Sequence, residues 1–381
     1  MDLIENLVEF VQDTYKTKEF IPLHAPVFSG NEKKYVMDTL ESTFVSSVGA
    51  YVDKSEAMMA QIAQSKRAIA VVNGTAGLQV ALQLAGVSYG DEVLSQALSF
   101  VATANAITHL GAIPVFLDVD YDTMGLSPDS VKAFLEEFGE MRDGGCFNKK
   151  TGRRIAACVP MHTFGFPVRI SALVTLCSEW NIPLVEDAAE SIGSYVGDQS
   201  TGSFGLLGVF SFNGNKIVTS GGGGMIVTQD EDLGKLAKHI TTTAKVPHPY
   251  EYVHDRVAYN FRLPNLNAAL LCGQLEMLPE FLANKRELAG RYASFFGDSG
   301  VKFRQEMEGT TANFWLMCLE AEDAAQKEDI LKRTNAAGVM TRPIWQLMYR
   351  LPMYAHCYRD SQKNAEFLEQ RIVNLPSSIT P

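Results

Sequence analysis

The sequence lacks the features that mark secreted, membrane-spanning or metal-binding proteins. Its six cysteines lie far apart without a Cys-x-x-Cys pair, and its seven histidines form no cluster with them. We therefore expect reduced thiols and no metal site. No apolar run approaches the roughly 18 residues that a transmembrane helix needs. The first residues, Met1–Asn6, are acidic where a signal peptide would be basic. These absences predict a cytoplasmic protein.

Positive charge is also scarce. The 381 residues include 33 Lys and Arg against 44 Asp and Glu, which gives a formal net charge of −11. This balance argues against nucleic acid or a membrane surface as a partner, although small phosphate compounds need only local donors. The length suggests two domains, or one large domain with an appendage.

Apolar strands alternate with amphipathic helices from Arg67 onward, a rhythm that predicts an α/β fold with a parallel sheet covered on both faces. Two later strands, Gly208–Ser211 and Gly224–Thr228, are separated only by a Gly-rich loop and should run antiparallel. The predicted strands are Ala68–Val72, Glu92–Ser95, Ile113–Leu117, Ile155–Val159 and Pro183–Val185, and the helices between them are Thr75–Leu84, Thr103–Leu110, Ser130–Phe138 and Ser171–Trp180.

The two ends of the chain differ from this central rhythm. Residues 1–17 and 31–41 have helical periodicity and flank an extended, proline-containing segment. A long helical stretch, Asn265–Phe296, is followed by strand-helix-strand material. We predict a large domain with an N-terminal arm at 1–263 and a smaller α/β domain at 264–381.

Three segments place special residues where strands end, the edge at which open parallel sheets bind ligands. The first, Asn73–Gly77, joins a strand to a helix, so its backbone N–H groups can bind an anion. An ordinary tight turn with Thr75 as N-cap is the alternative. The second, Glu186-Asp187, is a carboxylate pair that could hold a cation or accept a donor, or could simply cap a turn.

The third segment, Ser211–Lys216, ends in a lysine and is followed by Gly221–Gly224. A lysine in a partly buried, small-residue setting can become a nucleophile. A surface lysine beside a hairpin would not need so many glycines. Together the segments offer a phosphate cradle, an acid for a ring nitrogen and a lysine for a Schiff base. Pyridoxal 5′-phosphate (PLP) needs all three.

These motifs, together with Tyr259–Asn265, resemble the DegT/DnrJ/EryC1/StrS family of PLP-dependent nucleotide-sugar aminotransferases from about Ile21 to Pro376. The resemblance implies fold type I: a large domain with a mostly parallel seven-stranded sheet, a smaller C-terminal domain, and a homodimer. Lys216 would form the internal aldimine and move the proton, and Asp187 would keep the pyridinium nitrogen protonated. A histidine at the lysine position would instead mark the sugar dehydratases of the family.

The resemblance also implies further cofactor contacts. Phe100 would stack on the ring, Gly74, Thr75, Ala76 and Ser211 would hold the phosphate, and Asn260 would reach that phosphate from the other subunit. Glu190 stands where Gln or His is commoner beside the cofactor 3′-oxygen, and a carboxylate there needs a proton or a water to donate.

Substrate contacts are assigned by the same resemblance. Arg262 would meet a carboxylate of the amino donor or form a dimer-interface salt bridge. Segments 44–49, 242–254 and 341–345 are similar to members that act on UDP-linked 4-keto-6-deoxy-N-acetylhexosamines, closest to the legionaminic acid pathway. The remaining candidates are Ser47, Lys245, Arg342 and Tyr349, the last at a position where His is common.

The resemblance therefore implies an enzyme that moves the amino group of L-glutamate to the C4 ketone of such a UDP-sugar, by ping-pong kinetics, in bacterial surface-glycan or nonulosonic acid biosynthesis. The same chemistry on a 3-keto or a GDP- or dTDP-linked sugar is the first alternative. A PLP-binding regulator without turnover is a remote one. A dinucleotide-dependent dehydrogenase is set aside, because no Gly-x-Gly-x-x-Gly follows the first strand.

Overall fold

The computed structural model describes residues 2–297 and 299–381. Short 3₁₀ helices lie at Thr163–Gly165, Met348–Arg350 and Pro352–Tyr354. The α-helices are α1 (Leu3–Tyr15), α2 (Glu32–Glu41), α3 (Ala50–Ile62), α4 (Gly74–Leu84), α5 (Val101–His109), α6 (Pro128–Phe138), α7 (Ile170–Glu179), α8 (Glu231–Thr241), α9 (Asn265–Glu276), α10 (Leu278–Phe296), α11 (Ala324–Ala336) and α12 (Lys363–Glu369).

The strands are mostly short. They are β1 (Arg67–Val71), β2 (Glu92–Gln96), β3 (Ile113–Leu117), β4 (Gly139–Arg142), β5 (Gly145–Asn148), β6 (Ile155–Val159), β7 (Val185–Asp187), β8 (Tyr195–Val196), β9 (Gln199–Ser200), β10 (Leu207–Ser211), β11 (Gly224–Thr228), β12 (Lys245–Val246), β13 (Val253–His254), β14 (Lys302–Phe303), β15 (Thr310–Thr311), β16 (Met317–Glu320), β17 (Arg342–Pro343) and β18 (Ile372–Leu375).

Seven strands form the main sheet in the order β1-β11-β10-β7-β6-β2-β3. Continuous hydrogen-bonded ladders join β1-β11-β10-β7 and, separately, β6-β2-β3. Parallel bridges from Cys158 to Leu184 and from Met161 to Asp187 connect β6 to β7. Strand β11 runs antiparallel to both of its neighbours, and the other pairs are parallel. The predicted α/β fold with a mostly parallel seven-stranded sheet is therefore confirmed, as is the antiparallel pair β10–β11.

Both faces of this sheet are buried. Along β1, Ala68 and Ala70 join one apolar cluster, while Ile69 and Val71 join another. Successive side chains of a strand point to opposite faces, so two separate clusters must cover the sheet. Helix α4 packs against β10 and β11, and α3 and α8 pack against β1. This double burial explains why the strands are almost continuously apolar.

A second sheet lies in the C-terminal third, in the order β14-β16-β18-β17, with antiparallel pairs. All four of its strands fall after residue 264, but the division at that residue stays a prediction. The predicted stretch Asn265–Phe296 is two helices: α9 ends at Glu276, Met277 joins the two, and α10 begins at Leu278 with Pro279 in its first turn.

The regular elements that were not predicted include α3 and the hairpin β4–β5. Helix α3 has a modest apolar stripe that includes Val52 and Met59, and the hairpin β4–β5 is largely exposed. Weak amphipathic patterning gave neither element a clear period in the sequence. None of the helices described over residues 2–297 and 299–381 is both long and apolar enough to cross a membrane.

Candidate active site

The three predicted segments meet at one edge of the main sheet. Asn73 follows β1, Asp187 ends β7, and Ser211 ends β10. These strands are parallel to one another, so their carboxyl ends share that edge. The loop after β10 carries Lys216 back over the same place, where antiparallel β11 begins at Gly224.

A cavity of ≈ 670 Å³ opens at this edge. Its size falls in the range typical of small-molecule sites. It is lined by Leu23, Asn73, Gly74, Thr75, Leu78, Phe100, Ala102, Met161, Asp187, Ala189, Glu190, Ser211, Asn213, Asn215, Lys216, Trp315, Leu316, Arg342, Pro343, Ile344, Trp345, Gln346 and Asn374. We call this the Lys216 cavity.

Asp187 is the buried acid of the cavity. Thr103 Oγ1 donates to its Oδ2 at 2.6 Å, and the Ala189 N–H donates to its Oδ1 at 3.1 Å. Burial raises the pKa of Asp187 above its ordinary value, and the Thr103 hydroxyl opposes the rise. A cation beside this carboxyl would offset the cost of burying the negative charge of Asp187. The position therefore suits a protonated ring nitrogen.

Glu186 and Asp187 do not act as a pair. They are consecutive in a strand, so their side chains point to opposite faces. Glu186 Oε2 accepts from Gly202 N–H at 2.7 Å and contacts His162 Nε2 at 3.0 Å. Because Val168 N–H donates to His162 Nδ1, the Nε2 atom carries the proton and donates to Glu186. His162 is fully buried in this structural pair.

The amine of Lys216 lies between a carboxylate and an aromatic face. Its Nζ is 3.1 Å from Glu190 Oε1 and 3.5 Å from the centroid of the Trp315 ring. The Trp315 indole N–H donates to the Asn215 carbonyl at 2.7 Å, which fixes the ring. Cation–π attraction and the ion pair together hold the amine inside the cavity.

The other oxygen of Glu190 is held by the backbone. Phe164 N–H donates to Glu190 Oε2 at 2.8 Å. Burial raises the pKa of Glu190 above its ordinary value, and the charge of Lys216 opposes that rise. Glu190 thus lies in the cavity wall beside Lys216, and its contact with the cofactor stays a prediction.

The anion cradle is formed where β1 enters α4. Asn73 caps this helix, since its Oδ1 accepts from Ala76 N–H at 2.8 Å, and the alternative of Thr75 as N-cap is wrong. The N–H of Ala76 is therefore already occupied, whereas Gly74 and Thr75 line the cavity. A Cβ on Gly74 would lie 3.1 Å from Ser211 Cβ, so glycine permits the close approach of these two segments.

Aromatic side chains form the opposite wall. Phe100 is half-exposed, and its ring centroid is 6.3 Å from that of Trp345. Trp345 in turn packs on Phe164 with centroids 4.7 Å apart. These faces give a planar ligand an apolar surface to lie against. Stacking of Phe100 on the cofactor ring stays a prediction.

Four of the predicted contacts lie elsewhere in the chain. Ser47 and Arg262 line a separate cavity of ≈ 270 Å³. Arg262 Nε donates to Asn260 Oδ1 at 3.1 Å, and Lys245 lies over the ring of exposed Tyr252. We call Ser47, Lys245, Asn260 and Arg262 the Arg262 surface.

The last two substrate candidates, Arg342 and Tyr349, lie in different surroundings. Arg342 lines the Lys216 cavity. Tyr349 is buried, and its hydroxyl donates to Glu366 Oε1 at 2.7 Å, while the Arg359 guanidinium lies over its ring. Its role as a substrate contact stays a prediction.

Sequence reasoning missed Trp315, Leu23, Met161 and Asn374, although all four line the cavity. Each comes from a segment remote from the three motifs. A buried Trp before an apolar strand reads as core, so only the tertiary packing reveals that Trp315 touches Lys216.

The fold and the cavity define an enzyme of the PLP-dependent transferase class, since a buried acid, a lysine and an anion cradle surround one cavity. Comparison with known proteins agrees. Residues 27–380 match the DegT/DnrJ/EryC1/StrS aminotransferase family, and the chain belongs to that family. Its cofactor is PLP.

Two curated relatives match most of the chain. The protein EpsN of Bacillus subtilis (strain 168), named "Putative pyridoxal phosphate-dependent aminotransferase", is 34% identical over 94% of this chain and 90% of its own. GDP-perosamine synthase of Escherichia coli O157:H7 is 33% identical over 94% of this chain and 93% of its own.

A solved structure supports the fold. The aminotransferase TlmJ from Streptoalloteichus hindustanus superposes with a TM-score of 0.84 at 27% identity, covering 94% of this chain and 93% of the other. The family assignment is thereby confirmed, while the expected legionaminic acid subgroup is not confirmed by these relatives.

Proposed function

We propose that the chain transfers an amino group from L-glutamate to the ketone of a nucleotide-linked keto-sugar. The observation that supports this most strongly is the position of Lys216 Nζ, inside one cavity with the buried carboxyl of Asp187. A ligand would use both groups if it had a carbonyl that reacts with the amine and a ring nitrogen that the acid keeps protonated.

The residues of the cavity fit PLP. The N–H groups of Gly74 and Thr75 at the start of α4, with the Ser211 hydroxyl, would hold its phosphate. Asp187 would hold the proton on its ring nitrogen, and Phe100 would cover one face of the ring. When bound, PLP supplies an aldehyde that carries the amino group and a ring that accepts electrons.

Lys216 performs the proton movement in this proposal. Glu190 and Trp315 confine its amine to the cavity, where it would move the proton of the substrate carbon. Trp315, Trp345 and Arg342 line the same cavity. The two indole rings would limit the access of water to the reacting atoms, and Arg342 would offer a cation to an acidic substrate group. Because donor and acceptor use one site, we expect ping-pong kinetics.

A GDP-linked keto-sugar is the favoured acceptor, specifically the ketone that is aminated to give GDP-perosamine. Support comes from the name and the 33% identity of the Escherichia coli relative, which extends over nearly both chains. This was the first alternative from the sequence rather than the leading prediction.

A UDP-linked 4-keto-6-deoxy-N-acetylhexosamine is the second candidate. It is favoured by the resemblance of segments 44–49, 242–254 and 341–345 to members that use such sugars. The first two segments include Ser47 and Lys245 of the Arg262 surface. Either sugar would place the enzyme in bacterial surface-glycan biosynthesis.

We also propose that two copies share each site. The Arg262 surface would then complete the Lys216 cavity of the partner, with Asn260 at its phosphate. The separation of these residues from the cavity in one chain supports this arrangement.

Absorption spectroscopy of the PLP-loaded protein tests the proposal. L-Glutamate should bleach the visible band, and the correct keto-sugar should restore it. The two ketones are added separately, and the aminated sugar is identified by mass. A Lys216→Ala variant is the matched control. Restoration by the GDP-linked ketone alone supports the favoured acceptor, whereas restoration by the UDP-linked ketone alone selects the second. No bleaching by glutamate would contradict the transaminase proposal.

A further inference from the structure

Glu190 is buried against a single cationic side chain. Its side chain is 3% exposed, and that of Lys216 is 12% exposed. The Oε1 atom of Glu190 contacts Lys216 Nζ, whereas Oε2 accepts the N–H of Phe164. The two oxygens are therefore distinct, since a backbone donor fixes Oε2 and only Oε1 faces the amine.

The charges around Glu190 make its ionisation depend on Lys216. Desolvation raises the pKa of Glu190, and the nearby carboxylate of Asp187 raises it further. The ammonium of Lys216 and the Phe164 N–H act in the opposite direction. Across the cavity, Arg342 lies on the C-terminal sheet. Stabilisation of the Glu190 carboxylate thus comes chiefly from the free amine.

We propose that Glu190 changes protonation state with the cofactor: it is a carboxylate paired with free Lys216, and a neutral acid that donates from Oε1 once PLP has engaged that amine. Engagement of Lys216 removes the ammonium donor from Oε1. A buried carboxylate beside Asp187 would then lack a compensating partner, which is strongly unfavourable in proteins. Taking up a proton avoids that cost.

The proton balance is simple. If the amine of Lys216 joined the aldehyde of PLP with loss of one water, its nitrogen would keep one proton and one positive charge, and both would be matched by the ionised 3′-oxygen of PLP rather than by Oε1. The extra proton on Oε1 comes from solvent. Because Phe164 N–H occupies Oε2 as an acceptor, the proton is placed on the oxygen that faces the cavity.

Such a change in protonation would explain how Glu190 can stand at a position where Gln, which always carries an N–H donor, is commoner. Loaded Glu190 resembles the amide of Gln in shape and in offering a hydrogen to the cofactor. Free Glu190, in contrast, holds the released lysine by charge, which Gln cannot do. The inference rests on PLP as the cofactor and does not depend on which sugar is aminated.

Infrared difference spectroscopy between unloaded and PLP-loaded protein tests the change directly. In the wild type, loading should remove one carboxylate stretch and add one protonated-carboxyl stretch that shifts in D₂O. Glu190→Gln, which preserves size and a donor, should lack both changes. The bands of PLP and Asp187 are common to the two proteins and cancel in the comparison. Identical difference spectra would overturn the inference.

The pH dependence of the visible band is the second measurement. Glu190→Gln should keep the wild-type midpoint, because both proteins donate to the cofactor, whereas Glu190→Ala should shift it. A Glu190→Gln midpoint displaced as far as that of Glu190→Ala would contradict a neutral acid in the loaded enzyme. If glutamate bleaches the band but neither ketone restores it, the proposed acceptors fail while the inference about Glu190 stands. If no variant or wild type binds PLP, both fail.

Discussion

The Lys216 cavity and the Arg262 surface have equally specific motifs but very different surroundings. In the cavity, Lys216 is paired with Glu190, and Asp187 is held by Thr103, all within one chain. On the Arg262 surface, Asn260 is exposed, and nearby Val257 is 94% exposed. In the Lys216 cavity the functional side chains already have partners within the chain, whereas the Arg262 surface presents polar and apolar groups to solvent.

This difference teaches that motif specificity does not show whether a single chain completes a site. The exposed apolar side chains beside the Arg262 surface, including Tyr250 and Tyr252, are typical of an interaction surface. We interpret the cavity as the chemical half and the Arg262 surface as the half that serves a second copy. Substitutions in the two regions should therefore behave differently.

The largest effect is expected for Lys216→Ala, in the cavity. Transamination should fall by roughly 10³-fold or more, because general acid–base catalysis alone contributes about 10²–10⁴-fold. Steady-state rates with L-glutamate measure the loss, and light scattering should show unchanged assembly. Wild-type turnover in this variant would remove Lys216 from its assigned role.

Asp187→Asn should have the next largest effect. The variant keeps the shape but removes the charge that stabilises a protonated ring nitrogen, and we expect a loss on the order of 10²–10³-fold, as for removal of a preorganised electrostatic group. Single-turnover bleaching with L-glutamate measures this step. An equal loss in PLP affinity, with no change in the bleaching rate, would instead assign Asp187 to binding.

Thr103→Val should give the smallest change. It removes the hydroxyl that donates to Asp187 Oδ2 at 2.6 Å while preserving volume. A hydrogen bond to a charged group contributes about 1.5–3 kcal/mol. The pKa of Asp187 should rise further. As the pH is lowered, the bleaching rate should therefore begin to fall at a higher pH than in the wild type. An unchanged pH profile would show that Thr103 only packs.

Much of the fold follows from the sequence, because strands buried on both faces leave an unmistakable apolar pattern. The end of β10 and the glycines after it also predict that Lys216 returns to the sheet edge. Adjacent residues mislead, however. Glu186 and Asp187 look like a pair in the sequence, yet strand geometry sends one into a structural network and the other into the cavity.

Tertiary contacts account for what the sequence could not predict. Trp315 is 99 positions from Lys216, and nothing local indicates that its ring lies over the amine. The cap formed by Asn73 likewise occupies Ala76, which a motif alone shows only as one of several free donors. Such partners depend on side-chain placement rather than on pattern.

Complementation between the two regions tests the shared site most directly. Lys216→Ala disables the cavity, and Asn260→Asp places a carboxylate where the partner's cofactor phosphate is proposed to lie. Each variant alone should be inactive or strongly impaired. The two are unfolded and refolded together, and activity is compared with each variant refolded alone.

If Asn260 serves the partner's cavity, half of the dimers will be mixed, and each mixed dimer will contain one intact site. We therefore expect recovery of about a quarter of the wild-type activity for random pairing in a two-fold dimer. If Asn260→Asp alone is fully active, or if mixing restores nothing although mixed dimers form, each chain works with its own residues and the shared site is wrong.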